Sequence, residues 1–529
     1  MILNNISLSL NAYNGVWDQF SAGHLLRRSV FGPTFAEVNQ AISLGLNSTI
    51  SHLFESTPAK LELPINYFRD DEPNTPMGQP WIDSDYTTGM EYVRKDSFRA
   101  WRMGNMLNQE MTIHQKLELF WFNHFAIETE MVGDTRGVHE LSTLFYEQGL
   151  GSFKTLVEKV TVSQSMLIYL NGHSNTANKP NENYARELFE LFTVGKGPLI
   201  AEGDYTHYSE QDIQQAAKVL SGFKIERNPK KVVSYEEDRH NKETKQFSKI
   251  FGNREIQNKE EEEYKELIDM IFESHAAPRH ICRKLYRWFV YYDITDDIET
   301  NIIEPLAQVM VDNNFEVKPV LEKLLSSEHF FDMNFRGVQI KSPIDYTIGF
   351  QRQLEVEFPS KNDYESLYKL WMQGFISASN QLQSISDPPD VAGWKAYYQE
   401  PTFYRIWISS VTLIERKTFS EQLLVGGYAQ VDKTILVDPF QVFEQFVSKD
   451  DPNEVVRQFT ELFLPVEISE YMKDELKETL IPGLPDFEWT VEYLDYVRDK
   501  GHSIKRNAIR SKLLSLIRAI KNLPQFQLN

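Results

Sequence analysis

The periodic spacing of apolar residues is the feature that most constrains the fold of this chain. Ile113, Leu117, Phe120 and Trp121 follow the i, i+4, i+7, i+8 pattern of a helix that packs on one side. Stripes of the same period occur in residues 184–192, 285–289, 320–325, 455–462, 471–480 and 509–520. Because such stripes recur from end to end, we expect a predominantly all-α protein.

Helix-start signals support this interpretation. Ser342, Pro343 and Asp345 offer an N-cap hydroxyl, a proline at the first helical position and a carboxylate at the third, which predicts that a helix begins there. Residues 209–212 (SEQD) form a second start of the capping-box type, and Gly222 is its predicted C-terminal stop.

Three segments depart from the helical pattern. Apolar residues at 232, 233, 235, 247 and 250 surround polar ones, which predicts a small β-ribbon over 232–256. The prolines, acids and glycines of 63–92 are typical of a long surface loop. Residues 388–394 (PPDVAGW) favour either a shaped loop over a pocket or a buried structural turn.

Together these elements predict a large multi-helix globular body with a small β-ribbon insertion and a C-terminal helical lobe. We place an N-terminal extension at 1–20 and a helical core at 21–425, which contains the loop and the ribbon. A C-terminal helical segment at 426–529 is expected to pack on this core. A length of 529 residues allows two or three domains or one large helical body.

Charge and composition exclude several classes of partner. Lys and Arg number 55 against 76 Asp and Glu, and the net charge of -21 repels a nucleic-acid backbone. No apolar run approaches the roughly 18 residues of a spanning helix. The N-terminal residues lack the features of a secretory signal peptide, so we expect a cytoplasmic protein by default. The lone Cys282 cannot form an intramolecular disulfide and is expected in the core.

The densest polar segment is 181–192 (NENYARELFELF), which is expected to begin a helix near its first residue. Its polar residues are Asn181, Glu182, Asn183, Arg186, Glu187 and Glu190. On a helix Glu182 and Arg186 are i, i+4 neighbours, and Glu187 and Glu190 share one side. Adjacent carboxylates can raise one another's pKa, hold a divalent metal or orient an arginine. The alternative is a structural ion-pair network between helices.

A cationic group occurs near the N-terminus. His24, Arg27 and Arg28 fall at i, i+3 and i+4, so the three side chains are expected to face one way on a helix. This arrangement suits a carboxylate or another anion. The alternative is pairing of the arginines with structural carboxylates.

Two further histidines stand next to polar residues. Asn123 and His124 end an apolar helix, where a buried histidine must find a hydrogen-bond partner or act as a ligand. His240 lies near Lys245 on the predicted ribbon, which brings an imidazole and an amine close together.

Many of these motifs occur in the same order in a known family. They are 24–28 (HLLRR), 31–34 (FGPT), 120–125 (FWFNHF), 181–192, 209–222, 240–252, 341–343 (KSP) and 388–394. From about residue 21 to residue 529 the chain resembles the bacterial family catalogued as domain of unknown function 1800. Asn241 stands where the family usually has aspartate, which weakens a metal role for His240, and Ser29 and Val30 also depart from the usual pattern.

The resemblance implies a helical protein of unestablished activity. Members are often encoded beside a sulfatase-like protein family that carries a twin-arginine export signal. This implies a protein partner of that kind and, by co-export, a periplasmic or extracellular location as the alternative to the cytoplasm. It implies no oligomeric state.

The leading functional hypothesis is an enzyme or enzyme-like subunit with a polar cleft between the helices of His24, His124 and Asn181. The catalytic candidates are His24, His124, Glu182 and Glu187. The candidates for binding a substrate or anion are Arg27, Arg28, Asn123, Asn181, Asn183, Arg186, His240, Lys245 and Trp394. Such groups favour hydrolysis of a carbohydrate-like or anionic substrate. No cofactor is assigned, although the carboxylates would suit a divalent metal.

The rival hypothesis is a non-catalytic helical scaffold or chaperone-like partner of a secreted sulfatase-like protein. In that case the polar motifs are buried networks that fix helix packing. A catalytic site requires the four catalytic candidates to meet at an accessible pocket, whereas the scaffold hypothesis predicts enclosed and paired side chains.

Overall fold

The computed structural model describes residues 6–55, 57–85, 87–201, 204–226 and 232–529. Helices dominate these ranges, which confirms the predicted predominantly all-α class. The α-helices are α1 (Gln19–Ser29), α2 (Phe35–Leu53), α3 (Glu91–Leu107), α4 (His114–His124), α5 (Thr129–Val132), α6 (Thr135–Gln148), α7 (Phe153–Thr161), α8 (Gln164–Tyr169), α9 (Glu182–Glu187), α10 (Glu210–Val219), α11 (Glu263–Phe272), α12 (Ala276–Phe289), α13 (Asp296–Ile298), α14 (Glu304–Asp312), α15 (Val317–Leu325), α16 (Pro343–Gln353), α17 (Tyr364–Asn380), α18 (Ser410–Val425), α19 (Phe440–Phe443), α20 (Pro452–Phe463), α21 (Glu470–Lys477), α22 (Phe487–Arg498) and α23 (Ser503–Lys521). The π-helical turns are Leu188–Thr193 and Glu299–Ile303.

The strands of the described residues form four antiparallel hairpins. They pair β1 (Leu199–Ala201) with β2 (Asp204–Tyr205), β3 (Phe223–Glu226) with β4 (Val232–Tyr235), β5 (Lys245–Gln246) with β6 (Glu255–Ile256), and β7 (Tyr428–Gln430) with β8 (Lys433–Ile435). Short 3₁₀ helices lie at Gly172–Ser174, Glu237–Arg239, Lys249–Phe251, Glu260–Glu262, Met333–Phe335, Lys395–Tyr397, Phe403–Trp407 and Pro524–Gln527.

The strands in 232–256 pair differently from what the sequence pattern indicated. β4 pairs with β3, which precedes the predicted ribbon, and β5 pairs with β6 in a separate hairpin. Phe247 lies just beyond β5, and Ile250 lies in a 3₁₀ helix. The chain turns there because Asp212 of α10 accepts hydrogen bonds from both the backbone N–H and the hydroxyl of Ser248.

Both predicted helix starts are confirmed. The hydroxyl of Ser342 accepts a hydrogen bond from the N–H of Asp345 at the first turn of α16, and Pro343 is its first residue. Ser209 and Asp212 form a capping box at the start of α10. That helix ends at Val219, before Gly222, whose φ of +105° turns the chain into β3.

The helix predicted between residues 113 and 125 is α4, but its surroundings differ from the one-sided pattern. All of its residues are buried, including the charged ones. Glu118 pairs with Arg102 at 2.5 Å, and Lys116 pairs with Asp345. Ion pairs with neighbouring helices therefore allow the polar face of α4 to be buried as well as its apolar face.

Buried apolar side chains form two clusters. The first extends through the chain from Ala22 to Trp407. The second joins most of the apolar residues between 435 and 526 to side chains of α2, α16, α17 and α18. The C-terminal helices thus share a core with four helices that precede residue 426, while the proposed boundaries at residues 20 and 425 stay predictions.

Residues 63–92 follow an irregular course that is fixed by side chains. The amide of Asn66 donates to the carbonyls of Arg69 and Thr75, and the buried indole of Trp81 donates to Ser97 of α3. Across the described helices, none combines the length and apolar character that crossing a membrane requires.

Candidate functional site

The polar segment 181–192 forms a short α-helix, α9, that continues into the π-helical turn Leu188–Thr193. Asn181 caps α9: its Oδ1 accepts from the N–H of Asn183 at 3.0 Å, and its Nδ2 donates to two carbonyls of the preceding turn. Asn181 therefore holds the start of the helix, and the side chain of Asn183 is exposed.

Arg186 connects α9 to α10. Its Nη2 donates to Oε1 of Glu210 at 2.7 Å, and this hydrogen bond is the largest cause that raises the pKa of Arg186. Glu182, the expected i, i+4 partner, contributes only through its nearby charge. Since both bonded side chains are partly exposed, the pair ties two helices together at the surface.

Glu187, Glu190 and Asp390 form what we call the carboxylate cluster. Glu187 ends α9, Glu190 lies on the π-helical turn, and Asp390 comes from the loop 388–394. Burial raises the pKa of Glu187 from 4.5 to about 7, and the charges of Glu190 and Asp390 add to this effect. Because Glu187 remains partly exposed, its carboxyl can donate or accept a proton near neutral pH.

Glu190 is held by two other side chains. The ammonium of Lys196 lies 2.5 Å from its Oε1, and the hydroxyl of Tyr208 donates to its Oε2 at 3.0 Å. Both interactions stabilise a negative charge on Glu190. The cluster thus places a carboxyl of raised pKa, that of Glu187, beside a firmly held carboxylate.

Two partly exposed tyrosines border the cluster. Burial, together with the charges of Glu128, Asp390 and Glu187, raises the pKa of Tyr169 to about 12. The hydroxyl of Tyr398 bonds to Asp390. Burial, together with the charge of Asp390 and this hydrogen bond, raises the pKa of Tyr398. These rings offer apolar faces next to the carboxylates.

Asn123 anchors the loop that carries Asp390. Its Oδ1 accepts from the N–H of Trp394 at 2.9 Å. A Cβ on Gly393, whose φ is +91°, would lie 2.4 Å from the same oxygen, so this position requires glycine. Trp394 itself is 1% exposed and is enclosed by protein. Asn123 and Trp394 therefore position the loop and do not themselves face solvent.

His124 lies beside the π-helical turn. Its Nε2 donates to the carbonyl of Phe192 at 3.1 Å, and its Nδ1 accepts from Lys284 at 3.2 Å. Lys284 and His280 both donate to the carbonyl of Leu191. These side chains satisfy carbonyls that the end of a helix leaves without backbone partners. Burial lowers the pKa of His124 well below its usual range, so its imidazole is neutral.

His24 is enclosed in the first core cluster. Its Nε2 donates to the carbonyl of Phe330 at 3.0 Å. Burial and the positive charges of Arg28 and Arg336 lower its pKa well below the usual range. A neutral imidazole that is 1% exposed does not exchange protons readily with a bound molecule.

Arg27 and Arg28 bind main-chain oxygens instead of side-chain carboxylates. Arg27 donates to the carbonyls of residues 461 and 462, and Arg28 to the carbonyls of residues 290 and 335 and to the main-chain oxygen of Asn529. Both line a cavity of about 30 Å³ together with the ion pair of Lys116 and Asp345. This space holds about two water molecules, so it is too small for a substrate.

His240 and Lys245 meet at Glu263 in a fully buried triad. The two oxygens of Glu263 bond to Nε2 of His240 at 2.9 Å and to Nζ of Lys245 at 2.6 Å. All three side chains are 0% exposed. This triad ties the β5 hairpin to α11, and it presents no group to solvent.

The four catalytic candidates do not contact one another. Within the described ranges, no hydrogen bond, ion pair or ring contact joins any of His24, His124, Glu182 and Glu187 to another of the four. The structure does bring together the segment 181–192, the end of α4 and the loop 388–394. It encloses both histidines and leaves Glu187 accessible.

Sequence reasoning missed Asp390, Lys196 and the bordering tyrosines. Asp390 follows two prolines in a loop that was singled out for its shape. An acidic residue in such a loop was the sequence signal that could have marked Asp390 as a site candidate. A groove of about 1020 Å³ beside α6 and α7, lined by His139 and Gln164 among others, was also missed, and it includes none of the predicted site residues.

No group of three or more His, Cys, Asp or Glu side chains suited to hold a metal ion occurs among the residues that the structure describes. In the carboxylate cluster, Lys196 bonds to Glu190 and takes the place that a cation would occupy beside that carboxylate.

This architecture defines a large, predominantly α-helical protein with a carboxylate cluster at its surface. The sequence profile of the family described as "Protein of unknown function (DUF1800)" matches residues 24–528. Because the match covers nearly the whole chain, the protein belongs to this family. Comparison with curated proteins and with solved structures gives no significant match.

Proposed function

We propose that the protein is a hydrolase of carbohydrate-like substrates and that the carboxylate cluster is its catalytic site. The observation that carries this proposal is the position of Glu187, a partly exposed carboxyl whose pKa of about 7 results from burial and from two neighbouring carboxylates. Hydrolysis of a glycosidic bond requires one carboxyl that holds a proton and a second that is charged.

Glu187 serves as the general acid in this proposal. At neutral pH a large fraction of its side chain is protonated, and it donates that proton to the oxygen of the leaving group. Asp390 serves as the second carboxylate: it stabilises the positive charge that develops on the sugar as the glycosidic bond breaks. A water molecule then adds its hydroxyl to the sugar and returns a proton to Glu187. The hydroxyl of Tyr398 and the N–H of Ala392 both bond to Asp390 and stabilise its charge.

The same groups favour a neutral, hydroxyl-rich substrate. The carboxylates of Glu190 and Asp390 repel an anion, and Lys196 is already bonded to Glu190. The exposed parts of Tyr169 and Tyr398 suit stacking against the apolar face of a sugar ring. A carbohydrate without charged substituents therefore fits the cluster better than an anionic one.

The test is a screen for sugar release from soluble polysaccharides and from chromogenic glycosides. Glu187→Gln should lower turnover by about 10²- to 10⁴-fold, the usual contribution of a general acid. Glu182→Gln is the matched control, because it makes the same change on the same helix at a residue outside the cluster. Equal activity of the two variants, or no hydrolysis by the wild type, would contradict the proposal.

A second candidate is a non-catalytic scaffold or chaperone-like partner of a sulfatase-like protein. It is favoured by the enclosed positions of His24, His124 and His240, which act in packing. In this case the chain forms a stable complex with the sulfatase-like protein and reaches the periplasm or the exterior with it. Co-elution of the two purified proteins, unchanged by Glu187→Gln, would support this alternative.

A further inference from the structure

Four cationic side chains line the cavity of about 30 Å³ that lies against α1. They come from three helices and are Arg27 and Arg28 of α1, Lys116 of α4 and Arg287 of α12. Among the described residues, Asp345 is the one acid whose side chain lines the same cavity. The rest of the wall is largely aromatic and includes Trp288, Tyr292, Tyr397, Phe403, Tyr404 and Trp407. Cationic side chains therefore outnumber acidic ones four to one in surroundings of low polarity.

One of the four cations is neutralised by an ion pair. Lys116 pairs with Asp345. In the described ranges, the three arginines form no ion pair with an acidic side chain, and their hydrogen bonds go to main-chain oxygens. Counting the main-chain oxygen of Asn529, which accepts from Arg28, as a full negative charge leaves two anionic groups against four cations. The cavity therefore carries an excess of positive charge.

The positive charge continues behind the cavity. Lys341 and Arg416 are 6% and 1% exposed, and each donates to a main-chain carbonyl. Burial lowers the pKa of Lys341 to about 7, and the charges of Arg27 and Arg416 add to this effect. Burial also lowers the pKa of Arg27 and of Arg28 to about 10. Charged groups buried in this way are normally balanced by opposite charge, so the region favours a negative partner.

Arg27 and Arg28 also keep hydrogen-bond donors without an acceptor. Nε and Nη1 of Arg27 and Nε of Arg28 are buried, and they meet no acceptor in the part of the chain that the structure describes. A guanidinium has five N–H donors, and a buried donor that stays unpaired destabilises the fold. Because both side chains line the cavity, an anion bound there supplies an acceptor as well as a negative charge.

We propose that this cavity binds one small monovalent anion, a halide of the size of chloride. The cavity has room for about two water molecules, which suits a halide and excludes an organic anion. Arg287, Tyr292 and Gln339 are partly exposed, so the cavity lies next to solvent on this side. Arg27 also bonds to the carbonyls of residues 461 and 462 on α20. A bound anion therefore stabilises the connection between α1 and the C-terminal helices.

Urea unfolding of the full chain at increasing chloride concentration tests the proposal, with gluconate keeping the ionic strength constant. The midpoint should rise with chloride and then level off, because an anion that binds only the folded chain stabilises it until the site is saturated. The net charge of -21 keeps nonspecific binding of anions weak. A midpoint that does not depend on chloride would overturn the proposal.

A pair of variants on α12 tests the position of the site. Arg287→Met removes a cation at the partly exposed side of the cavity and should raise the half-saturating chloride concentration by at least about tenfold. Arg283→Met is the matched control, because Arg283 lies one turn earlier on the same helix, pairs with Glu299 and does not line the cavity. Equal effects of the two substitutions on the chloride dependence would overturn the assignment.

Crystals of the wild type grown in bromide locate the anion without any substitution. Bromide scatters anomalously near its absorption edge, whereas water does not. The anomalous difference map should show a peak in the cavity, beside the guanidinium groups of Arg27 and Arg28. Absence of a peak at this position would overturn the proposal, even if the unfolding midpoint depends on chloride.

Discussion

Replacing Glu187 with glutamine should make the protein more stable above neutral pH and change its stability little in acid. The carboxyl titrates near 4.5 in an unfolded chain, whereas its pKa in the folded protein is about 7. As the pH rises from about 4.5 to about 7, the unfolded chain releases this proton first, so the wild type loses stability over that window. Glutamine carries no proton to release and avoids this loss.

The magnitude follows from the shift in pKa. A rise from 4.5 to about 7 corresponds to about 3 kcal/mol if the carboxyl were fully shielded from water. Because Glu187 is partly exposed, solvent screens part of this energy, and we expect about 1–2 kcal/mol. At about pH 8 the variant should therefore unfold at a higher urea concentration than the wild type, and near pH 4.5 the two curves should nearly coincide.

Urea unfolding followed by tryptophan fluorescence at several pH values measures this difference. Glu182→Gln, on the same helix and outside the carboxylate cluster, is the control variant. A raised pKa of Glu187 is ruled out if Glu187→Gln is destabilising at about pH 8, or if its stability differs from that of the wild type by the same amount at every pH. A variant that gains stability and loses hydrolysis would show that the cluster trades stability for function.

Two further substitutions test the elements that surround the site. Lys245→Met removes one cation from the buried carboxylate of Glu263 and should lower the free energy of unfolding by about 3–5 kcal/mol, measured by denaturant titration. A loss below about 1 kcal/mol would show that the triad is not a paired structural unit. Gly393→Ala places a Cβ against Asn123 at a φ of +91° and should lower the free energy of unfolding by about 1–3 kcal/mol. Hydrolysis should also fall, because Asp390 shifts with the loop. Unchanged stability and activity would contradict the role of Gly393 in positioning the loop.

Local features of the fold could be predicted because they depend on neighbours in the sequence. The cap at Ser342, the capping box at Ser209 and the helix ending at His124 each follow from residues within one or two turns. Strand pairing could not be predicted in the same way, since β4 pairs with a segment that the alternation pattern did not mark. Asp212, which turns the chain at Ser248, acts over 36 positions.

The candidate site was predicted only in part, because sequence patterns mark relations between neighbouring residues and not tertiary contacts. Glu187 and Glu190 share a side because they lie on one helical segment, and that relation is local. Asp390 reaches Glu187 only through tertiary packing, across some two hundred positions. The partners of Arg27 and Arg28 are main-chain oxygens, and a sequence shows no pattern that marks them as acceptors. Whether a histidine is enclosed, as His24 is, also depends on distant segments.

If Glu187 protonates the leaving group, the effect of removing its carboxyl depends on how much that group needs a proton in order to depart. Glu187→Gln should be compared with the wild type on two glycosides of the same sugar, one with an alkyl alcohol and one with a strongly acidic phenol. We expect a loss of about 10²- to 10⁴-fold for the alcohol and less than about tenfold for the phenol, which departs without a proton. Equal losses on both glycosides, or none on either, would contradict it.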